Sequence, residues 1–177
     1  MSERLVSSRR VYEGRIVNLR VDTVRLASGR VTTREIVEHG GSVAIVALNE
    51  EDNVLLVNQF RAAVGRALLE IPAGTLEAGE EAEACALREL REETGYVAGH
   101  MEEIHVFYTS PGFCDERIWL YLATGLRRGA QDVETDESIE VVKLPLNRAL
   151  KMVGSGEICD GKTILGLSVA HARMLAS

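Results

Sequence analysis

Glu80, Arg88, Glu89, Glu92 and Glu93 fall within one short stretch, Gly74 to Tyr96, and their types and spacing could do chemistry together. From Glu80 to Thr94 there is no Gly and no Pro, and Ala, Leu, Glu and Arg dominate, so the composition predicts a helix. Gly79 precedes the run and Gly95 follows it, where a left-handed stop would sit. At about 100° per residue, Glu89 and Glu93 stack one turn apart on one face, with Glu92 to the side. Ala82 and Ala86 share the Glu89/Glu93 face and are expected to leave space beside the carboxylates. Ala84, Leu87 and Leu90 lie roughly opposite and are expected to face a core. Arg88 stands four residues before Glu92 and can pair with it, although Arg-then-Glu is the weaker order.

Acids grouped this closely repel, and without compensation one takes up a proton. A hard divalent cation removes the conflict, because it prefers oxygen ligands and tolerates partial hydration. Mg²⁺ held by a few carboxylates, with a phosphate completing its shell, is a common arrangement for phosphate chemistry. A solvated acidic helix face has the same composition. The charges alone leave both readings open.

The spacing decides between them. Gly74, five residues, Glu80, seven residues and then Arg88-Glu89-Leu90-Arg91-Glu92-Glu93-Thr94-Gly95-Tyr96 resembles the Nudix box of the Nudix hydrolases at every defining position. Seven fixed letters at background frequency would match by chance on the order of once in a million chains. The resemblance implies divalent-metal-dependent cleavage of a nucleoside diphosphate linked to another moiety. It implies Glu89 and Glu93 as the main metal ligands and Glu92 as a further ligand or water-orienting carboxylate. Arg88 would pin the carboxylates, Glu80 would brace the box, and the backbone carbonyl of Ala73 would be another ligand.

The elements that must position these groups can be read in order. At 177 residues, the chain suits one domain with a small appended element. Residues 9–39 read as strands: Arg15 to Leu26, a turn at Ser28-Gly29, and Val31 to His39. Gly40-Gly41 is a candidate boundary, giving an N-terminal β-element over 1–40 and a main domain over 41–177. Ser42 to Leu48 and Val54 to Val57 are apolar runs expected to be buried on both faces. Arg61 and Glu70 precede the box, and Arg61 is either a phosphate clamp or a surface Arg. Ile104 to Tyr108, Ile118 to Ala123 and Val141 to Leu144 read as strands, and Leu146 to Val153 and Lys162 to Leu175 as closing helices. Gly156 to Thr163 has the letters of a phosphate-binding loop, but it follows a helical segment and carries Glu157 and Asp160, which would repel phosphate. Asp160 is expected to cap the last helix instead.

Ser110-Pro111-Gly112-Phe113, followed by Asp115 and Glu116, resembles the marker of the ADP-ribose pyrophosphatase branch of that family. The approach Glu70-Ile71-Pro72-Ala73-Gly74 and the stretch Glu35 to His39 are similar to it too. The fold this implies is α/β: a Nudix-like α/β/α sandwich with a mixed central sheet and an N-terminal antiparallel β-element. The implied reaction is hydrolysis of the pyrophosphate bond of ADP-ribose to AMP and ribose 5-phosphate. The alternatives are another nucleotide sugar or dinucleotide, such as GDP-mannose, and a non-catalytic nucleotide-binding sensor. The implied catalytic set is Arg88, Glu92, Glu93 and a loop carboxylate, Glu137 with Glu134 as fallback. Metal ligands would be Ala73, Glu89, Glu92 and Glu93, holding two or more Mg²⁺ or Mn²⁺ ions. Substrate binding would fall to Arg15, Ile16, Glu35, Glu38, Arg61, Pro111 and Gly112, in a homodimer that exchanges N-terminal strands.

Composition bounds the partners. A formal net charge of −7 opposes nucleic-acid and anionic-membrane binding. No apolar run reaches the ~18 residues of a membrane span. Three widely spaced cysteines, Cys85, Cys114 and Cys159, form no metal or disulfide pattern and point to a reducing cytoplasm.

Overall fold

The computed structural model describes residues 3–129 and 139–176. The chain divides into two compact units, Met1–Gly41 with Tyr108–Arg117, and Ser42–Phe107 with Ile118–Ser177.

In the first unit, β1 (Arg4–Glu13), β2 (Val17–Arg25) and β3 (Val31–His39) form an antiparallel sheet with β2 in the middle. The β2–β3 register runs from Val17 opposite His39 to Arg25 opposite Val31, closed by a turn with Gly29 at φ 85°. This hairpin is the one that the alternation of the sequence predicts. β1 begins earlier than expected, at Arg4, and every one of its ten residues is exposed. A strand with no buried face has no hydrophobic alternation to betray it. The segment after Tyr108 lies along β3: Val37 donates its N–H to the Phe113 carbonyl at 2.8 Å, and Asp115 donates to the Val37 carbonyl at 3.1 Å.

The second unit is built on β4 (Ser42–Leu48), β5 (Asn53–Arg61), β9 (His100–Tyr108), β10 (Arg117–Thr124) and β12 (Glu140–Pro145), in the order β12-β5-β4-β10-β9. β6 (Arg66–Glu70) pairs with β5, and β7 (Ala73–Thr75) pairs with β4. The sheet is mixed, since β10 runs parallel to β4 while β5 and β7 run antiparallel to it. A two-residue pair, β8 (Tyr96–Val97) with β11 (Arg127–Arg128), stands apart.

Strand alternation sorts β4 onto two cores. Ala44, Val46 and Leu48 pack with Leu56, Ile71 and Leu120 on one side, joined by residues of α2 (Leu146–Ser155) and α3 (Gly161–Ala176). Val43, Ile45 and Ala47 pack with Leu55, Tyr121 and residues of α1 (Ala82–Thr94) on the other. The unit is therefore an α/β/α sandwich, and the apolar runs read as doubly buried strands occupy its centre. Each large aliphatic side chain buried there contributes roughly 1.5–3 kcal/mol.

α1 corrects two expectations. It begins at Ala82 rather than Glu80, which stays in the preceding loop. Its buried stripe is Cys85, Ala86, Leu90 and Thr94, while Leu87 is 40% exposed and Ala84 is also exposed. Ala86 thus fills the core instead of leaving space beside the acids. A small residue lets the helix approach the sheet closely, and the larger Leu87 is turned to solvent.

Candidate active site

The box is assembled around one guanidinium. The loop before α1 turns back on itself, with Glu80 donating its N–H to the Glu77 carbonyl and accepting one from the Glu77 amide on Oε2 at 3.0 Å. That places Glu80 to receive both arms of Arg88, Nε at 2.9 Å and Nη2 at 3.0 Å. Arg88 Nη1 then reaches Glu89 Oε1 at 2.6 Å and Glu92 Oε2 at 3.0 Å. The pairing of Arg88 with Glu92 expected from sequence is present, and the bidentate grip on Glu80 adds to it. The Arg88 hydrogen bonds, with the Glu77 amide, pull the Glu80 carboxyl down to about 2. Hydrogen bonding to Glu80, with further bonds to Glu89 and Glu92, raises Arg88 above its ordinary value.

Glu89 is held differently. Burial raises its carboxyl above the usual range, and the charges of Glu92 and Glu80 push the same way, against Arg88. Its side chain lies against β7, where a Cβ added to Gly74 would run into the Glu89 carboxylate. Only glycine leaves that carboxylate its place. Glu93 Oε2 accepts the Ala73 N–H at 2.9 Å. β7 itself is fixed on β4 by the pairs Ala44–Ala73 and Val43–Gly74, and the Pro72 carbonyl receives the Ile45 N–H at 2.8 Å.

Glu89 and Glu93 thus meet β7 at Gly74 and Ala73, and Glu92 joins Glu89 through Arg88. Among the described residues, no three His, Cys, Asp or Glu side chains converge into a ready-made cage. Arg88 draws Glu89 and Glu92 to itself, and Glu93 turns to the Ala73 amide. The donor set nevertheless fits a hard divalent cation: every group is an oxygen, and Glu89 is a part-buried acid among like charges.

Upstream of the box, Glu70 is 1% exposed and takes both arms of Arg61, at 2.8 and 2.7 Å. Lys162 pairs with the same carboxylate. Burial acts to raise the Glu70 carboxyl, but the Arg61 hydrogen bonds and the Lys162 charge together bring it below its ordinary value. The Gly156–Thr163 segment is no phosphate loop. Gly156 ends α2 in the left-handed region, and Asp160 Oδ2 accepts the Thr163 N–H at 3.0 Å at the start of α3, as expected of a cap. Sequence reading missed Lys162 and Thr163 as neighbours of the box strand. Their pairing with Glu70 and Ile71 spans 92 positions and leaves no local signal.

In the first unit the candidate binding residues do not form one group. Arg15 and Ile16 line a small cavity with Tyr12 at the β1–β2 turn, and Ile16 is 60% exposed. Glu38 pairs with Arg10 at 2.8 Å and Arg20 at 3.4 Å. Glu35 sits an odd number of residues from Glu38 on β3, and so points to the other face. Pro111 and Gly112 line a second cavity with Arg20, Arg34, Ile36 and Phe113. Glu134 and Glu137 lie outside the described residues.

Residues 38–159 match the NUDIX domain, and residues 3–37 match the nucleoside diphosphate sugar hydrolase N-terminal domain. An ADP-ribose pyrophosphatase of Bacillus subtilis (strain 168) is 43% identical over 165 residues, covering 92% of this chain and 89% of that protein. A methanol dehydrogenase activator of Bacillus methanolicus is 41% identical, covering 93% of this chain and 90% of its own. A crystal structure of an ADP compounds hydrolase superposes with a TM-score of 0.88 at 16% identity, covering 99% of this chain and 96% of that one, which shows the shared fold. With the box complete in sequence, its acids gathered on α1 beneath β7, and the domain match spanning most of the chain, this protein belongs to the Nudix family.

Proposed function

We propose that this protein hydrolyses the pyrophosphate bond of ADP-ribose, releasing AMP and ribose 5-phosphate. The observation that carries the reading is the Arg88-centred set of Glu80, Glu89 and Glu92, with Glu93 on the Ala73 amide and Gly74 cleared for Glu89. The 43% identity to an ADP-ribose pyrophosphatase supports the choice of substrate.

Glu89, Glu92, Glu93 and the Ala73 carbonyl would hold the divalent ions, Mg²⁺ or Mn²⁺, two or more. When bound, such ions neutralise charge on the diphosphate and on the transition state at phosphorus. Arg88 orients Glu89 and Glu92 while the site fills. Arg61, 38% exposed at its side chain and fixed by Glu70, offers its open side to a phosphate oxygen. Water attacks one phosphorus, the bridging P–O bond breaks, and Glu137, or Glu134 in its place, takes the water proton on its carboxylate. No Ser or Cys nucleophile is needed.

Substrate binding is assigned to Arg15, Ile16, Glu35, Glu38, Pro111 and Gly112, in a cytoplasmic homodimer. Two features support the dimer. β1 is a fully exposed edge strand, and it carries Leu5, Val6, Val11 and Tyr12, each about half exposed or more. The domain organisation we propose is the N-terminal β-element over 1–40 followed by the catalytic domain over 41–177.

The test is release of AMP from ADP-ribose, with and without Mg²⁺ or Mn²⁺, beside GDP-mannose and other nucleotide sugars. ADP-ribose should show the highest kcat/KM. A higher value for a nucleotide sugar would move the assignment to that substrate, and no metal-dependent turnover of any of them would end the hydrolase reading.

A further inference from the structure

The first turn of α3 reaches the strand that leads into the box. Thr163 is fully buried, and its Oγ1 accepts the Ile71 N–H at 2.9 Å. The same hydroxyl donates to Asp160 Oδ2 at 2.6 Å. A hydroxyl has a single proton, so its use on Asp160 commits the lone pairs to Ile71. Lys162 Nζ is shared between Glu70 and Asp160. One turn on, Gly166 lies so close to the strand that an added Cβ would meet Ile71 Cδ1 at 2.8 Å. Two residues beyond Ile71, Ala73 donates to Glu93, and Gly74 makes room for Glu89.

The charges have their own consequence. Glu70 accepts from Arg61 on both oxygens, and its Oε2 accepts from Lys162 as well. Asp160 is compensated in part by the amide and hydroxyl of Thr163 at the start of the helix. Lys162 therefore offsets part of the Glu70 charge that Arg61 meets, and leaves Arg61 better able to attract an anion.

We propose that Thr163 and Lys162 are positioning residues. Thr163 holds Ala73 and Gly74 in register with Glu93 and Glu89 through Ile71, and Lys162 holds Arg61 poised and positive through Glu70. The proposal rests on the functional reading above, and its test separates the two.

Mn²⁺ binding is measured by electron paramagnetic resonance on the full chain without substrate, beside kcat and KM for ADP-ribose and thermal denaturation. Thr163→Val should weaken Mn²⁺ binding about tenfold and lower kcat by a similar factor. KM should move less than about twofold, and Thr163→Ser should restore both affected values. Leu167→Val, a core truncation on the same helix, should lower Tm while leaving Mn²⁺ affinity at the wild-type value. Lys162→Met should raise KM about tenfold with Mn²⁺ affinity unchanged, and Lys162→Arg should recover KM. A Thr163→Val protein that melts lower but keeps wild-type Mn²⁺ affinity and kcat overturns the role of Thr163. A Lys162→Met protein with wild-type KM overturns that of Lys162. If Thr163→Val does not fold, Thr163→Ala is read on the same Mn²⁺ affinity and kcat, and wild-type values there overturn the role of Thr163. A wild-type protein that takes up no Mn²⁺ overturns the functional reading and this proposal together. One that binds Mn²⁺ but prefers another diphosphate overturns only the substrate, and the same variants are then read on that diphosphate.

Discussion

Glu93 carries two duties that substitution can separate. It accepts the Ala73 amide, and it carries the negative charge that the proposed ions would need. Glu93→Gln keeps an oxygen for the amide and loses the charge. We expect kcat to fall about a hundredfold or more, with Tm within a few degrees of wild type. A near-wild-type rate would remove Glu93 from the proposed ligand set. Glu80 gives the complementary case, where the charge stabilises the fold. Its carboxyl sits at about 2 in the folded protein, against ~4.3 for a free Glu. Between those values the unfolded chain binds the proton and the folded one does not, so acid favours unfolding. The stabilisation is complete above pH ~4.3 and is lost as pH falls towards 2. Glu80→Gln should therefore melt below wild type at pH 6, and the gap should close by about pH 2. A gap that stays constant with pH would show that the Arg88–Glu80 pair is not its source. At this scale the sequence was informative: Arg88, Glu89, Glu92 and Glu93 are neighbours in the chain, and helix periodicity places neighbours. It erred on Ala86 and Leu87, because the angular position of a core-facing stripe depends on the sheet the helix meets.

At the scale of elements, the site is a contact between a helix and a three-residue strand. β7 is too short to be read from composition, yet it carries the close approach that brings Glu89 to its place. Gly74→Ala puts a Cβ where that carboxylate lies. The carboxylate must swing away, so Mn²⁺ affinity should drop about tenfold or more with the fold retained by circular dichroism. Unchanged affinity would mean that Glu89 can serve from another rotamer. The apolar runs of β4 and β5 announced doubly buried strands, and the segments of α1, α2 and α3 announced helices. β1 and the β5–β6 hairpin gave weaker signals. The first buries no face, and the second turns through residues 62–65 without strong turn chemistry beyond Gly65.

At the scale of the whole molecule, the exposure of β1 bears on assembly. A ten-residue exposed edge strand with apolar side chains is a pairing surface, and natural proteins rarely leave one uncovered. We expect sedimentation equilibrium to give twice the 19.4 kDa chain mass. Leu5→Lys combined with Val11→Lys should shift the protein to the monomer, with a raised KM for ADP-ribose. A wild-type monomer of full activity would overturn the proposed exchange of N-terminal strands.

By itself, the sequence determined the chemistry on offer. A helix-length run with acids at i and i+4, a following Gly and an Arg among them can be read without coordinates, because local spacing sets which side chains share a face. Tertiary structure alone decided how those acids are held. Glu80 and Arg88 close on each other across a loop, Gly74 and Ala73 arrive from a strand fixed on β4, and Lys162 and Thr163 reach back from α3 to Glu70 and Ile71. Except for Glu80 and Arg88, these pairings join residues distant in the chain, and only the packing of helices on a common sheet determines which of them meet.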